Sequence, residues 1–282
     1  MKIFSATQSG SVSVSYGTSS GNYATTTSPV ALVSGAPLSL NISGLSTNTQ
    51  YFYRINYIST GGTSQTPEYK FRTARPVGEQ FTFAIQADPH MDEATEVALY
   101  ERTLDNIGLA APDFLIDLGD TFMTEKHAVQ LSATSPPAAS ELEVVARYQS
   151  DMPLFARIGH SVPLFLTNGN HDAELGWLAT SNTINTQLPT WAYNTRQAYF
   201  PNPETNSFYS GQSVLTTGPK ANYYSWKWGD ALFIVLDPFF NSTKTAGSDG
   251  WNMTLGQTQY DWLSTTLSAN AAMKYKFIFL HN

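Results

Sequence analysis

Cysteine is absent from the 282 residues, which excludes disulfides, thiolate zinc sites and cysteine nucleophiles. Any metal would have to be held by His, Asp, Glu or Asn. Positive charge is scarce: 15 Lys and Arg stand against 22 Asp and Glu, a formal net charge of −7. That balance argues against a basic nucleic-acid-binding domain. With 41% hydrophobic and only 13% charged residues the chain is not a disordered tail either. No apolar run approaches the ~18 residues of a membrane span. The start, Met1-Lys2-Ile3-Phe4-Ser5, shows no apolar stretch of the ~7–15 residues that a secretion signal carries. What is plentiful is Ser, Thr, Asn and Gly, a polar but weakly charged composition that suits a secreted or periplasmic protein. The length fits one large domain or a large and a small one.

Residues 1–76 alternate short β-favouring runs (Val12–Tyr16, Leu38–Ile42, Tyr51–Ile58, Tyr69–Arg72) with Gly, Ser and Asn turn clusters, and show no helical period. They read as a small all-β sandwich. Gly44-Leu45 followed by Asn48-Thr49-Gln50-Tyr51 has the look of a tyrosine corner, in which a Tyr hydroxyl bonds back to upstream backbone in Ig-like and fibronectin-type domains. The unit is short for such a sandwich, so its first strand or two are expected upstream. Thr73–Gly78 has the Pro and Gly punctuation of a linker.

After it the pattern changes. Strands are expected over Phe81–Ala87, Asp113–Leu118, Val162–Thr167, Tyr223–Trp228, Ala231–Leu236 and Tyr275–Leu280, and helices over Glu93–Ala111, Glu141–Ile158 and Leu255–Leu267. Alternating strand and helix make residues 77–282 a layered α/β domain. Ser132–Ser140, with Pro136-Pro137, reads as a surface loop. The aromatic-rich stretch from Glu174 to Ala221 reads as an irregular packed insertion. Asn41, Asn241 and Asn252 begin glycosylation acceptor triplets, relevant only in a eukaryotic secretory pathway.

The chemistry sits where strands end. Phe81–Ala87 runs into Asp88-Pro89-His90, Asp113–Leu118 into Gly119-Asp120, Val162–Thr167 into Gly169-Asn170-His171-Asp172, and Tyr275–Leu280 into His281. Groups just beyond the carboxyl ends of parallel strands converge on one crevice. In an extended segment Asp88 and His90, two apart, would point the same way. Gly before Asp120 and before Asn170 lets backbone come close to a cation. Asp88, His90, Asp120, Asn170 and His281 form a set of hard oxygen and imidazole donors that suits Zn, Mn or Fe.

These motifs resemble the calcineurin-like metallophosphoesterase superfamily, whose pattern is D-x-H, G-D, G-N-H-[DE], a strand-end His and then G-H-x-H. Tyr199-Phe200-Pro201, Tyr223-Tyr224-Ser225 with Gly229, Leu236-Asp237, and Gln259 with Trp262-Leu263 resemble the stretches between the third and fourth motifs in phosphatase-like members. The N-terminal unit is similar to the fibronectin type III-like domain that precedes the catalytic domain in purple acid phosphatases and related secreted phosphatases.

The resemblance implies a layered α/β/β/α sandwich over 77–282 and two divalent or trivalent ions held by the five residues named. His171 would act at the phosphate, with Asp172 either orienting it or capping the following turn. The substrate would be a small phosphate ester, first a phosphomonoester, with a phosphodiester as the alternative; a non-catalytic binding protein with a degenerate site is the reading from another class. Two departures qualify the match. The position three after Asp120, a metal-binding Tyr in purple acid phosphatases, is Met123, and their first motif lacks the His found here at His90. The chain also stops at Asn282 before any G-H-x-H, so two further His ligands are expected outside it. Of the remaining histidines, His160 falls at the opposite end of the sheet, where packing or surface is expected, and His127 lies in a loop able to border the crevice.

Overall fold

Architecture changes where the sequence pattern does, between residues 73 and 82. The computed structural model describes residues 1–91, 95–125, 138, 140–175, 187–200, 213–215, 218–220, 222–239 and 254–281. Before the change lie β1 (Lys2–Ile3), β2 (Gly10–Gly17), β3 (Thr25–Thr26), β4 (Val30–Leu32), β5 (Leu38–Ser39), β6 (Gln50–Ser59), β7 (Gly62–Gln65) and β8 (Tyr69–Arg72). The antiparallel pair β2–β6 is the spine, with β3 and β4 on the free side of β2 and β7 and β8 on that of β6; β1 pairs with β5. Val14, Leu40 and Tyr53 make its buried centre. The strand expected to reach Ile42 ends at Ser39. The Tyr51 hydroxyl accepts a hydrogen bond from the Ser46 amide, five residues upstream, at 3.0 Å.

The second part runs β9 (Phe83–Gln86), α1 (Val97–Ala110), β10 (Phe114–Asp117), α2 (Glu141–Gly159), β11 (Leu164–Leu166), a 3₁₀ turn (Asn170–Asp172), α3 (Leu188–Tyr199), β12 (Ser213–Leu215), β13 (Gly218–Lys220), β14 (Tyr224–Trp228), β15 (Ala231–Val235), α4 (Gly256–Ala269) and β16 (Tyr275–Phe279). β9, β10 and β11 form one parallel sheet with β10 in the centre. In a second sheet β15 pairs antiparallel with β14 and parallel with β16.

Alternation along the central strands explains the layers. Phe114 and Ile116 of β10, with Phe233 and Val235 of β15, face each other in an aromatic-rich core between the sheets, where Phe165 stacks on Trp226 with centroids 4.0 Å apart. Leu115 points the other way, against Tyr100 and Leu104 of α1 and Leu154 and Ile158 of α2. Leu232 and Ile234 likewise meet Trp262, Leu263 and Leu267 of α4. The order is helices, sheet, sheet, helix, the α/β/β/α sandwich expected.

One expectation is corrected. The stretch read as irregular contains α3, whose buried Leu188, Ala192, Arg196 and Tyr199 recur at helical spacing. Pro189 disguised it in the sequence, yet proline is tolerated in a first turn because its missing N–H has no intrahelical partner there. The remaining aromatics of that stretch at 177, 208 and 209, the 132–137 loop and His127 lie outside the described residues.

Among the described residues the two parts pack together at the end of α2 and along α3. His160 stacks on Tyr69 at 4.3 Å and its carbonyl accepts the Tyr53 hydroxyl at 2.6 Å, a packing role as expected. Phe4 packs edge-on against Tyr199 at 5.4 Å.

Candidate metal centre

All four donor-bearing segments leave the carboxyl ends of their strands on the same side, and backbone hydrogen bonds tie the first two together. The Asp88 amide donates to the Gly119 carbonyl and the His90 amide to the Asp120 carbonyl, each at 3.1 Å. Asp88, His90 and Asp120 all adopt left-handed backbone, φ 55°, 45° and 55°. The extended i, i+2 geometry expected for Asp88 and His90 is therefore not what aligns them; a twisted turn brings their side chains together. Left-handed backbone costs a non-glycine residue roughly 1–2 kcal/mol. Three such residues around one crevice mark a place where the fold holds strain.

Gly119 and Gly169 allow the closest approach. A Cβ on Gly169 would stand 2.3 Å from both the amide nitrogen and Oδ1 of Asp120, and one on Gly119 would stand 2.4 Å from the Gly169 nitrogen. Only bare backbone fits between the second and third motifs.

Asp120 is 2% exposed and central. Its Oδ2 lies 3.2 Å from Nε2 of His90 and 3.3 Å from Nε2 of His281, while its Oδ1 accepts the His171 amide at 2.7 Å. Asp88 Oδ1 lies 3.5 Å from His90 Nε2 and 3.9 Å from His281 Nε2. Asn170 completes the group, its Oδ1 at 3.0 Å from His281 Nε2. The donor atoms of Asp88, Asp120 and His281 all lie within 4.8 Å of one another. Two ligands about 2.1 Å from one ion at tetrahedral or octahedral angles stand roughly 3–3.5 Å apart, so these separations fit a metal cluster. Nδ1 of His281 faces the Leu118 carbonyl at 3.0 Å. That contact fixes the ring with Nε2 toward the carboxylates, the arrangement usual for a ligating imidazole.

Charge is consistent with cation binding. The hydrogen bond with Asp120 pushes the His281 imidazole up to about 9, against the effect of burial. Burial alone would raise Asp120, but His281 and the His171 amide hold it below the usual carboxylate range. A cation among these groups would take over the attraction that now favours imidazolium.

His171 stands beside the cluster, its ring 5.5 Å from that of His90. Its Nδ1 meets Oε2 of Glu125 at 2.7 Å. Sequence reasoning missed Glu125; a single acidic residue five after Asp120 carries no spacing signal. Asp172, 1% exposed, accepts four backbone amides: Thr121 and Phe122 on Oδ1, Asp120 and Gly169 on Oδ2, at 2.8–2.9 Å. It ties the second motif loop to the third. Burial and the Asp120 charge push it up, against the amides of Phe122, Gly169 and Thr121.

A buried polar chain braces the far side. Arg196 of α3 pairs with Glu174 at 2.6 Å and donates to Asn222 at 2.8 Å; Asn222 donates to Asp237 at 2.7 Å. Asp237 at the end of β15 is held in turn by Gln259 of α4, which accepts its amide and donates to its carbonyl at 2.8 Å each. Met123, the position of the expected departure, is fully buried against α1 and α2.

Two sheets back to back, with oxygen and imidazole donors gathered at their strand ends, define a phosphoesterase-type metal fold. The chain belongs to the calcineurin-like phosphoesterase family, whose profile matches residues 81–279. Among solved structures it is similar to that of PhoD, with TM-score 0.62 and 18% identity over 96% of this chain and 55% of that one. It is also similar to purple acid phosphatase PPD1 from yellow lupin (Lupinus luteus) seeds, with TM-score 0.59 and 15% identity over 99% of this chain and 48% of that one. The chain thus spans about half the length of these two. No curated protein matches it significantly.

Proposed function

We propose that this chain carries a binuclear metal centre for hydrolysis of phosphate esters, phosphomonoesters first. The single observation that supports it most is the convergence of Asp88, His90, Asp120, Asn170 and His281 from four strand ends onto one crevice. Family membership and the phosphatase neighbours agree with it. Asp120, central among the donors, would be shared by two ions, with Asp88 and His90 on one side and Asn170 and His281 on the other. Zn, Mn or Fe suits the donors. Bound there, the ions would supply an activated water and positive charge facing the phosphoryl oxygens.

The protein's own groups do the rest. Glu125 would accept a hydrogen bond from Nδ1–H of His171 and favour its imidazolium form, whose Nε2–H meets the ester and passes its proton to the departing oxygen, leaving a neutral imidazole. Asp120 Oδ1 grips the His171 amide and sets the distance between acid and metal ligands. Asp172 positions both loops. The Tyr51–Ser46 bond supports reading the N-terminal sandwich, residues 1–76, as fibronectin type III-like, and the composition supports export from the cytoplasm.

Elemental analysis and turnover of an aryl phosphate, both measured on the full natural protein, test the proposal together. Near two metal equivalents per chain are expected, lost in Asp120→Asn. Turnover should fall by orders of magnitude in His171→Ala with metal content kept. A protein that binds no metal, or an Asp120→Asn variant that keeps its full metal content, would refute it.

A further inference from the structure

At the opposite end of the parallel sheet from the metal cluster, a cleft of about 700 Å³ opens between the N-terminal sandwich and the helices α1 and α2. It lies before the first residues of β10 and β11, so the four residues of β10, about 13 Å of strand, separate it from the Gly119-Asp120 loop. Its walls carry Lys70, Arg72, Arg75 and Arg157 against Asp105 and Asp113. That is an excess of two positive charges in a chain whose net charge is −7.

The cations are not equivalent. Arg75 is spent on Asp113 at 2.6 Å, and Arg157 on Asp105 through two hydrogen bonds of 2.6 and 3.0 Å. Arg72 donates from one nitrogen to the Asn48 carbonyl at 2.9 Å and its side-chain Oδ1 at 3.3 Å, both neutral, and has no ion-pair partner among the described residues. Lys70, exposed on β8, has no ion-pair partner among the described residues. Beside them Leu109 is 84% exposed, and Phe71 and Pro112 complete an apolar strip. Uncompensated charge facing a concave wall with apolar surface is the makeup of a site for an organic anion. The cleft's volume falls within the ~300–1,000 Å³ of small-molecule sites.

We propose that this interdomain cleft binds a small phosphorylated anion of two or more charges, held by Lys70 and Arg72 from the sandwich with Leu109 and Pro112 of the opposite wall packed against it, at a place separate from the metal centre. Such a ligand would clamp the two parts of the chain together. The metal-free protein isolates the effect, since without cations the Asp88 and Asp120 carboxylates repel anions. Titration calorimetry of chelated, dialysed protein with inorganic pyrophosphate, in low salt, is the test.

Saturable binding is expected, weakened at least tenfold in Lys70→Glu and about threefold in Lys70→Gln, and unchanged in Asp88→Asn. The Lys70 side chain is exposed and makes no hydrogen bond or ion pair among the described residues, so both of its variants should melt as the parent does. Absence of saturable binding, or equal affinity in parent and Lys70→Glu, would overturn the proposal. So would binding altered by Asp88→Asn, which would place the anion at the metal cluster. None of these outcomes depends on turnover, so the cleft and the phosphoesterase reading stand or fall separately.

Discussion

Replacing Asp172 by alanine should be among the most destabilising single changes available to this protein, although the residue is a carboxylate and not an apolar core side chain. Its carboxylate is 1% exposed and is the acceptor for four backbone amides, those of Asp120, Thr121, Phe122 and Gly169. Each buried donor left without a partner costs about 1–3 kcal/mol. Water entering the space left by the side chain, and relief from burying a carboxylate next to Asp120, would offset part of that. A net loss of about 4 kcal/mol is expected, at the upper end of single substitutions. For a chain of this size that corresponds to a fall in Tm of roughly 8–16 °C. Asp172→Asn keeps one oxygen but aims an N–H₂ at two N–H donors, so it should recover less than half of the loss. Urea unfolding of chelated protein, with the midpoint shifting and the slope unchanged, measures the effect without metal linkage. An alanine variant within about 1 kcal/mol of the parent would show that these amides find other partners, and the account of how the second and third motifs are locked would be wrong.

Three further outcomes follow from the same geometry. Gly169→Ala drives a methyl against Asp120 at 2.3 Å, so metal content should drop at least tenfold by elemental analysis while far-UV circular dichroism stays unchanged; retained metal would contradict the close approach. Glu125→Gln should lower kcat for an aryl phosphate about tenfold to hundredfold with KM nearly constant, as expected of a group that orients an acid rather than binds substrate. Burial pushes Asp117 up to about 6 from 3.8, so the folded chain holds this proton more tightly than the unfolded one. Its contribution to stability is then full below pH ~4 and falls as pH rises to 6 and beyond. Asp117→Asn, whose amide Gln86 can meet with its otherwise unpartnered Oε1, should remove that fall; urea midpoints that track the parent's between pH 4 and 7 would refute it.

The fold class was legible because each central strand of the second part states its layer in its own alternation: Phe114, Leu115 and Ile116 face core, helices and core in turn. The helix α3 was not, because Pro189 and a scarcity of charge hid its period. At the candidate metal centre, residue types and their strand-end positions pointed to the donors that the structure brings together. The path by which Asp88 and His90 converge was beyond the sequence, since left-handed backbone at a non-glycine residue is imposed by hydrogen bonds to a distant loop. Glu125 was invisible for a related reason, its meaning arising only from the 2.7 Å that separates it from His171.

Taken alone, the sequence determined which strands are buried, which donors follow them and that no thiol takes part, because periodicity and residue chemistry are local properties. Tertiary structure decided how those donors meet, what Asp172 holds, and that Lys70 and Arg72, without ion-pair partners among the described residues, line a second cleft. Distances between segments far apart in the chain depend on how two sheets and a separate sandwich pack, and no local pattern encodes them.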